Sequence, residues 1–205
     1  GEVAARKGHR TAGTISGKYA AGDESVGGFK EAFEKGGGSV VKALAVPFPN
    51  VEFQALLTEI AAIKPDVVYT FFAGGGAVKF VKDYAQAGLK QAIPRYGAGF
   101  LTDGTLEAQG ADAEGLMTTL HYADSLGTPR DQAFRLAYVR AYKQQPDVYA
   151  VQGYDAAQML GIGLTAVKGD LNRKAEFTAA IRKATIDSPR GRFKLSASHN
   201  PVQDI

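Results

Sequence analysis

Hydrophobic residues in this chain follow two alternating patterns, short continuous runs and stripes with a helical period. Runs typical of strands buried in a sheet occur at residues 11–16, 39–46, 67–72, 93–96 and 115–122. Stripes typical of helices lie between them, as at Val26, Phe29 and Phe33, and Asn50 is placed to cap the second such helix. Because strands and helices alternate with short connections, the pattern predicts an α/β fold with a doubly wound parallel sheet flanked by helices.

The pattern changes after Tyr122. Residues 124–187 carry helical stripes with no strand between them, and Thr128 is placed to cap the first of these helices ahead of Pro129. Beyond them, only residues 192–196 alternate like a strand. Helices without strands of their own must cover a sheet that is supplied from elsewhere.

These patterns divide the chain into two parts. Residues 1–123 are predicted to form an α/β lobe, and residues 124–205 a mainly helical and incomplete segment. The C-terminus runs into an extended stretch, and the N-terminus lacks the apolar segment of a signal peptide. We therefore expect this chain to be a fragment of a longer natural protein.

Composition disfavours several classes of function. The 24 Lys and Arg residues exceed the 21 Asp and Glu residues by three, and they are spread over helix faces of mixed sign. Such a dispersed charge disfavours nucleic-acid binding. Cysteine is absent, which excludes disulfides and cysteine-based metal sites. No apolar run reaches the roughly 18 residues that span a bilayer.

A glycine-rich segment marks the strongest candidate for a binding site. Gly74, Gly75 and Gly76 separate the run at 67–72 from a helix. In parallel sheets, ligands bind outside the carboxyl ends of the strands, where these glycines must lie. They form either a tight turn or a ligand-binding lip whose amides face an anion. Neither nucleotide-binding motif, GxGxxG or GK[ST], is present.

Four other residues lie at predicted strand ends on the same edge. Tyr19 follows the first strand and either offers a flat apolar face and a hydroxyl to a small ligand, or packs on the next helix. Phe72, Ala98 and Phe100 lie at the ends of the third and fourth strands. For each of the two phenylalanines, a core position is an alternative to ligand contact.

Patterns of catalytic or metal-binding residues do not occur in the sequence. His9, His121 and His199 are far apart, Ser16 lacks the G-x-S-x-G spacing of a nucleophile elbow, and no HExxH motif is present. Asp155 is interpreted as a structural or capping acid. We therefore predict a protein that is not an enzyme and that uses no cofactor or metal.

Four segments, in this order, cover most of the chain: KYAAGDESVGGFKEAFEKGGGSVV, FQALLTEIAAIKPDVVYTFFAGGGAVKFVKDYAQAGL, EGLMTTLHYADSLGTPRDQAF and YDAAQMLGIGLTAV. The ordered set resembles the type I solute-binding proteins of ABC importers, in their leucine/isoleucine/valine-binding branch. No single motif is diagnostic of that family, but the combination is specific.

The resemblance implies two α/β lobes joined by three crossing strands, with the ligand in the cleft between them. Residues 1–123 match the second lobe, and residues 124–205 match the helical crossover segment of the first lobe. His121 and Tyr122 match the start of one crossing, a hinge. Together with the strand ends above, the expected ligand contacts are Tyr19, Phe72, Gly74, Gly75, Ala98 and Phe100. The intact protein is expected to be a monomer in the periplasm or at the cell surface that passes its solute to a membrane permease.

The expected ligand follows from one departure from the family. Amino-acid binders of this family often place an acid in the loop after the fourth strand, where this chain has Ala98 and Phe100. Since a buried ammonium needs a counter-charge, we expect a small carboxylate without an amine, such as an aromatic acid. A branched-chain amino acid is the alternative ligand. Rival functions are a ligand-sensing domain of a receptor or regulator, and a Rossmann-like nucleotide-dependent enzyme.

Overall fold

The computed structural model describes residues 1–49 and 52–203, so the cap predicted at Asn50 lies outside the described residues. The chain divides into two compact units, Gly1–Thr119 and Leu120–Ile205, here called unit 1 and unit 2. This division falls shortly before the boundary after residue 123 that the sequence pattern predicted.

Unit 1 is built from alternating strands and helices. Its strands are β1 Thr11–Lys18, β2 Ser39–Pro47, β3 Val67–Phe71, β4 Arg95–Ala98 and β5 Met117–Thr119. Its helices are α1 Glu2–Arg6, α2 Ala20–Lys35, α3 Gln54–Ile63, α4 Gly74–Gln86 and α5 Leu106–Gln109, with 3-10 turns at Gly99–Leu101 and Gly110–Ala113. The last strand is shorter than the run at 115–122 predicted.

The five strands form one parallel sheet in the order β2-β1-β3-β4-β5. β1 pairs with β2 from Thr11 opposite Ser39, and with β3 from Ala12 opposite Val67. The chain therefore extends the sheet first on one side of β1 and then on the other. This is the doubly wound arrangement, with its switch point between β1 and β3, and it confirms the predicted fold class.

Helices cover both faces of the sheet. On one face, the residues buried around α3, α4 and the sheet include Ile15, Phe53, Leu57, Ile60, Val68, Phe80, Val81 and Tyr84. On the other face, the residues buried around α1, α2 and the sheet are Ala4, Ala5, Ala12, Phe29, Phe33, Val67 and Tyr96. Successive residues of β3 thus face opposite layers, as the period of a strand requires.

Unit 2 is mainly helical, as the sequence pattern predicted. Its elements are α6 Pro129–Tyr142, α7 Val148–Ala166, α8 Lys174–Lys183 and the antiparallel pair β6 Lys194–Leu195 and β7 Pro201–Val202. Thr128 caps α6, since its hydroxyl accepts a hydrogen bond from the amide of Asp131 at 3.1 Å. None of the helices in the described part of the chain has the length and apolar character needed to cross a membrane.

A buried ion pair ties α7 to the segment after α8. Arg190 Nε donates to Asp155 Oδ2 at 2.9 Å, and the hydroxyl of Ser188 donates to the same oxygen at 2.9 Å. The side chains of Arg190 and Asp155 are only 6% and 2% exposed. These contacts accord with a structural role for Asp155.

Candidate functional site

Four aromatic rings that contact one another in succession lie at the carboxyl ends of four strands of unit 1. Phe48 follows β2, Tyr19 follows β1, Phe71 ends β3 and Phe100 follows β4. Ring centroids of successive members in this order are 5.0, 6.2 and 6.2 Å apart. The rings follow the order of the strands in the sheet, and so they form a continuous row across the switch point. These four residues are called the aromatic row.

Tyr19 takes its place in the row because of the way α2 begins. Its extended backbone makes it the N-cap residue of α2, and its amide donates to the carbonyl of Gly17 at 3.0 Å. The tight turn folds the ring back over β1, where a Cβ at Gly17 would lie 2.7 Å from Tyr19 Cε1. The side chain is half-buried, and burial raises the pKa of its hydroxyl. Tyr19 therefore presents a neutral phenol at physiological pH.

One expected contact, Phe72, lies in the core instead of at the edge. Its side chain is 6% exposed, and its ring packs against Phe53 at 5.0 Å and Phe80 at 5.2 Å. Because successive side chains of a strand point to opposite faces, the neighbouring Phe71 faces the other way and meets Tyr19. Phe71, and not Phe72, therefore lies beside Tyr19 at the edge of the sheet where the sequence pattern placed Phe72.

The three glycines form the first turn of α4 instead of a separate turn before it. The helix begins at Gly74, whose φ of +54° is a left-handed conformation that favours glycine. The N-cap residue, Ala73, has no side-chain acceptor to cover the first amides. A Cβ added at Gly74 or Gly75 would meet no atom within 4 Å. The start of α4 thus combines open space with the partial positive charge of a helix N-terminus.

The loop after β4 is shaped by a close approach at Gly97. A Cβ at Gly97 would lie 2.8 Å from Leu101 Cδ2, so a larger residue there would displace the turn that follows. Ala98 caps that 3-10 turn, and Phe100 lies within it, half-buried. The ring of Phe100 meets the ring of Phe71 edge to face, at 73°. The loop therefore adds an uncharged aromatic end to the row.

Comparison with known protein families identifies the kind of protein to which this sheet edge belongs. The family model for periplasmic binding proteins matches residues 1–205, which is the whole chain. The chain belongs to the periplasmic binding protein family. This confirms the family that the sequence resemblance indicated. Among curated relatives, Leu/Ile/Val-binding protein homolog 6 of Brucella melitensis is 29% identical over 209 residues, covering 99% of this chain and 53% of the relative.

Two solved structures of ABC-transporter solute-binding proteins are similar to this periplasmic binding protein chain. One, from R. palustris in complex with benzoate, is 52% identical with a TM-score of 0.94, over 98% of this chain and 56% of that one. The other, from Rhodopseudomonas palustris BisB5 in complex with 3,4-dihydroxy benzoic acid, is 29% identical with a TM-score of 0.90, over 98% of this chain and 56% of that one. The chain spans about half the length of the curated relatives it matches.

The two residues expected at a hinge of this periplasmic binding protein lie in unit 2, beyond the end of β5. Tyr122 is buried, and its hydroxyl donates to Asp131 Oδ1 at 2.9 Å. His121 is half-buried, with its Nε2 atom 3.3 Å from Gln152 Nε2. Burial lowers the pKa of His121, and the positive charge of Arg190 lowers it further. The hinge role of His121 and Tyr122 stays a prediction.

Metal-binding side chains do not cluster in residues 1–49 and 52–203, where no group of three or more His, Asp or Glu residues could hold an ion. The histidines have separate surroundings there. His9 contacts the ring of Tyr96, and His199 contacts the guanidinium of Arg182. The expectation that this periplasmic binding protein is not an enzyme stays a prediction, as does the expectation that it needs no cofactor.

The structure joins Tyr19 and Phe100 through Phe71, and it adds Phe48, which the sequence analysis did not identify. The alternation of β3 could have indicated Phe71, because the end of a strand presents one side chain to each face. Phe48 belongs to no apolar stripe, since it lies between two prolines just after β2. Its approach to Tyr19 depends on β2 lying next to β1 in the sheet.

Proposed function

We propose that this chain is part of the solute-binding component of an ABC importer and captures a small aromatic carboxylate. One observation carries the proposal, the aromatic row across the switch point beside the open start of α4. Aromatic rings bind a planar ring by stacked or edge-to-face contact, and a helix N-terminus favours an anion. Benzoate and its hydroxylated derivatives combine a planar ring with one negative charge.

The uncharged residues at the start of α4 and in the loop after β4 support an acid without an amino group. The start of α4 holds Gly74 and Gly75, and the loop after β4 holds Ala98 and Phe100. An amino-acid ligand would bury its ammonium beside these uncharged residues, at a cost in desolvation that only a counter-charge offsets. The relatives bound to benzoate and to 3,4-dihydroxy benzoic acid support the same ligand class.

Capture in this proposal is a physical event with no bond made or broken. The ligand contacts two lobes at once and therefore stabilises the closed arrangement over the open one. Unit 1 supplies one wall of the cleft, and a longer natural protein supplies the other. That protein works as a monomer in the periplasm or at the cell surface and delivers its solute to a membrane permease. It binds no nucleic acid.

Calorimetric titration of the natural protein that contains this chain tests the proposal. We expect benzoate and hydroxybenzoates to bind and leucine to bind at least about tenfold more weakly. Tyr19→Ala should weaken benzoate binding at least about tenfold, because it removes one ring of the row. Tyr142→Ala, which removes a 63% exposed tyrosine of unit 2, is the matched control and should leave the affinity unchanged.

Three results would contradict the proposal, and each points to a different rival. Preference for leucine over benzoate would assign the protein to the amino-acid binders. A large thermal stabilisation by NAD or ATP would favour the nucleotide-dependent enzyme. A membrane span or DNA-binding module next to this chain in the natural protein would favour a receptor or regulator on the same fold.

A further inference from the structure

Phe48 is the exposed end of the aromatic row. Its side chain is 67% exposed, and its ring lies 5.0 Å from the ring of Tyr19 at an angle of 42°. The residue precedes Pro49, which confines its backbone to extended conformations, and it follows Pro47, whose φ is fixed by its ring. The backbone around Phe48 is therefore restricted by a proline on each side.

Two rings hold Tyr19 from opposite directions along the row. The ring of Phe48 lies on the β2 side and the ring of Phe71, with a centroid distance of 6.2 Å, lies on the β3 side. Below them, Gly17 leaves the space that the rings use: a Cβ there would lie 2.7 Å from Tyr19 Cε1 and 4.0 Å from Phe48 Cδ2. The ring of Tyr19 thus contacts Phe48 as well as the end of β1.

We propose that Phe48 is a specificity-determining residue of this site, which positions Tyr19 and extends the aromatic surface, so that planar aromatic acids are preferred over non-aromatic carboxylates of equal size. The inference rests on the proposed function and names a residue and a selectivity that the proposed function does not. The reason is geometric and electrostatic. Aromatic rings attract one another through the negative face and positive edge of each ring, an attraction that a saturated ring lacks.

The test compares two ligands of nearly equal size on the full natural protein, benzoate and cyclohexanecarboxylate. Calorimetry gives the ratio of their affinities for the wild type, Phe48→Ala, Phe48→Leu and Phe48→Tyr. We expect the preference for benzoate to fall about fivefold or more in the alanine and leucine variants and to be restored in the tyrosine variant. Val41→Ala is the matched control, because Val41 is a 45% exposed apolar residue of β2, the strand that Phe48 follows.

The outcomes separate this inference from the function on which it rests. If the wild type binds neither benzoate nor a hydroxybenzoate, the proposed function is wrong and the role of Phe48 is wrong with it. If the wild type prefers benzoate but Phe48→Ala keeps the preference of Val41→Ala, the role of Phe48 alone is wrong. An equal loss of affinity for both ligands would also overturn it, since a merely structural residue would weaken both alike.

Discussion

Gly22 determines how closely the start of α2 approaches the end of β1, and its replacement by alanine tests that contact. A Cβ at Gly22 would lie 2.2 Å from the carbonyl oxygen of Gly17 and 3.4 Å from Ser16 Cβ. The first distance is far below any van der Waals contact. Both partners are attached to backbone in regular structure, so a rotamer change cannot relieve the overlap. We therefore expect α2 to shift away from β1 in Gly22→Ala.

The size of the effect follows from two opposing contributions to the free energy of unfolding. Forcing an extra methyl group into a closely packed position costs about 1–3 kcal/mol. Alanine is a better helix former than glycine by about 1 kcal/mol. Because the overlap at 2.2 Å is severe, we expect the first contribution to be near its upper end. Gly22→Ala should then lower the free energy of unfolding by about 2 kcal/mol.

The same helix contains its own controls. A Cβ at Gly27 or Gly28 would meet no atom within 4 Å. Gly27→Ala and Gly28→Ala should therefore show the helix-propensity gain alone, about 0.5–1 kcal/mol of added stability. The same substitution, made at three positions of one helix, is thus expected to change stability in opposite directions.

Urea unfolding of the 205-residue chain, followed by far-UV circular dichroism, measures these differences. In thermal scans, each kcal/mol corresponds to a shift of about 2–4 °C for a chain of this size. Equal midpoints for Gly22→Ala and Gly27→Ala would refute the reasoning. They would mean that α2 does not press against the backbone of β1, and that the position of Tyr19 at the start of α2 lacks the support assigned to it.

Three further predictions concern the α4 N-terminus and unit 2. Gly75→Asp should raise the free energy of unfolding of the chain by about 0.3–1 kcal/mol through the helix dipole. The same change should weaken benzoate binding by the natural protein, and Gly75→Asn is the uncharged control. Stronger benzoate binding by Gly75→Asp would contradict an anion preference at the α4 N-terminus. Asp155→Ala should cost about 3–5 kcal/mol because it leaves a buried arginine unpaired, whereas Asp187→Ala, at a side chain that is 50% exposed, should cost about 1 kcal/mol or less in urea unfolding. The pKa of His121 is lowered in the folded chain, so the unfolded chain binds the proton more tightly, and stability should fall as the pH drops below about 6.5. His121→Gln should flatten this loss of stability between pH 7.5 and 5.5, and an unchanged pH dependence in His121→Gln would rule out its assignment to this residue.

Local signals account for the parts of the fold that the sequence predicted well. The cap at Thr128 depends on a side chain and an amide three residues apart, at 3.1 Å, and such short-range geometry is encoded in neighbouring residues. The apolar stripe of α3 and the apolar run of β3 likewise need only the period of a helix or strand. The family resemblance rests on the order of several such segments, and the family match over residues 1–205 confirms it.

Helix propensity predicted the start of α4 less well than it predicted the other helices. Three successive glycines disfavour a helix, and the sequence pattern therefore placed a turn there. In the structure the helix begins at Gly74, whose positive φ costs glycine little. The apolar face of α4, with Phe80, Val81 and Tyr84 fully buried, supplies the packing energy that outweighs poor propensity in one turn.

The buried ion pair shows a second limit of sequence reasoning. Asp155 and Arg190 are 35 positions apart, and both are charged residues of types that usually lie at the protein surface. Their partnership appears only when α7 and the segment after α8 pack together, with Ser188 donating to the same carboxylate oxygen. Burial of either charge alone would be costly, so the pair depends on a tertiary contact that no local pattern contains.

The sequence by itself determined the fold class, the family and the edge of the sheet where a ligand is expected. Those features follow from periodicity, from the order of elements and from glycines at strand ends, all of which are local. Only the tertiary structure decided which side chains meet at that edge, with Phe71 taking the place of Phe72 and Phe48 joining Tyr19. The reason is that strand order and register arise from long-range pairing, and a shift of one residue along a strand moves a side chain to the opposite face.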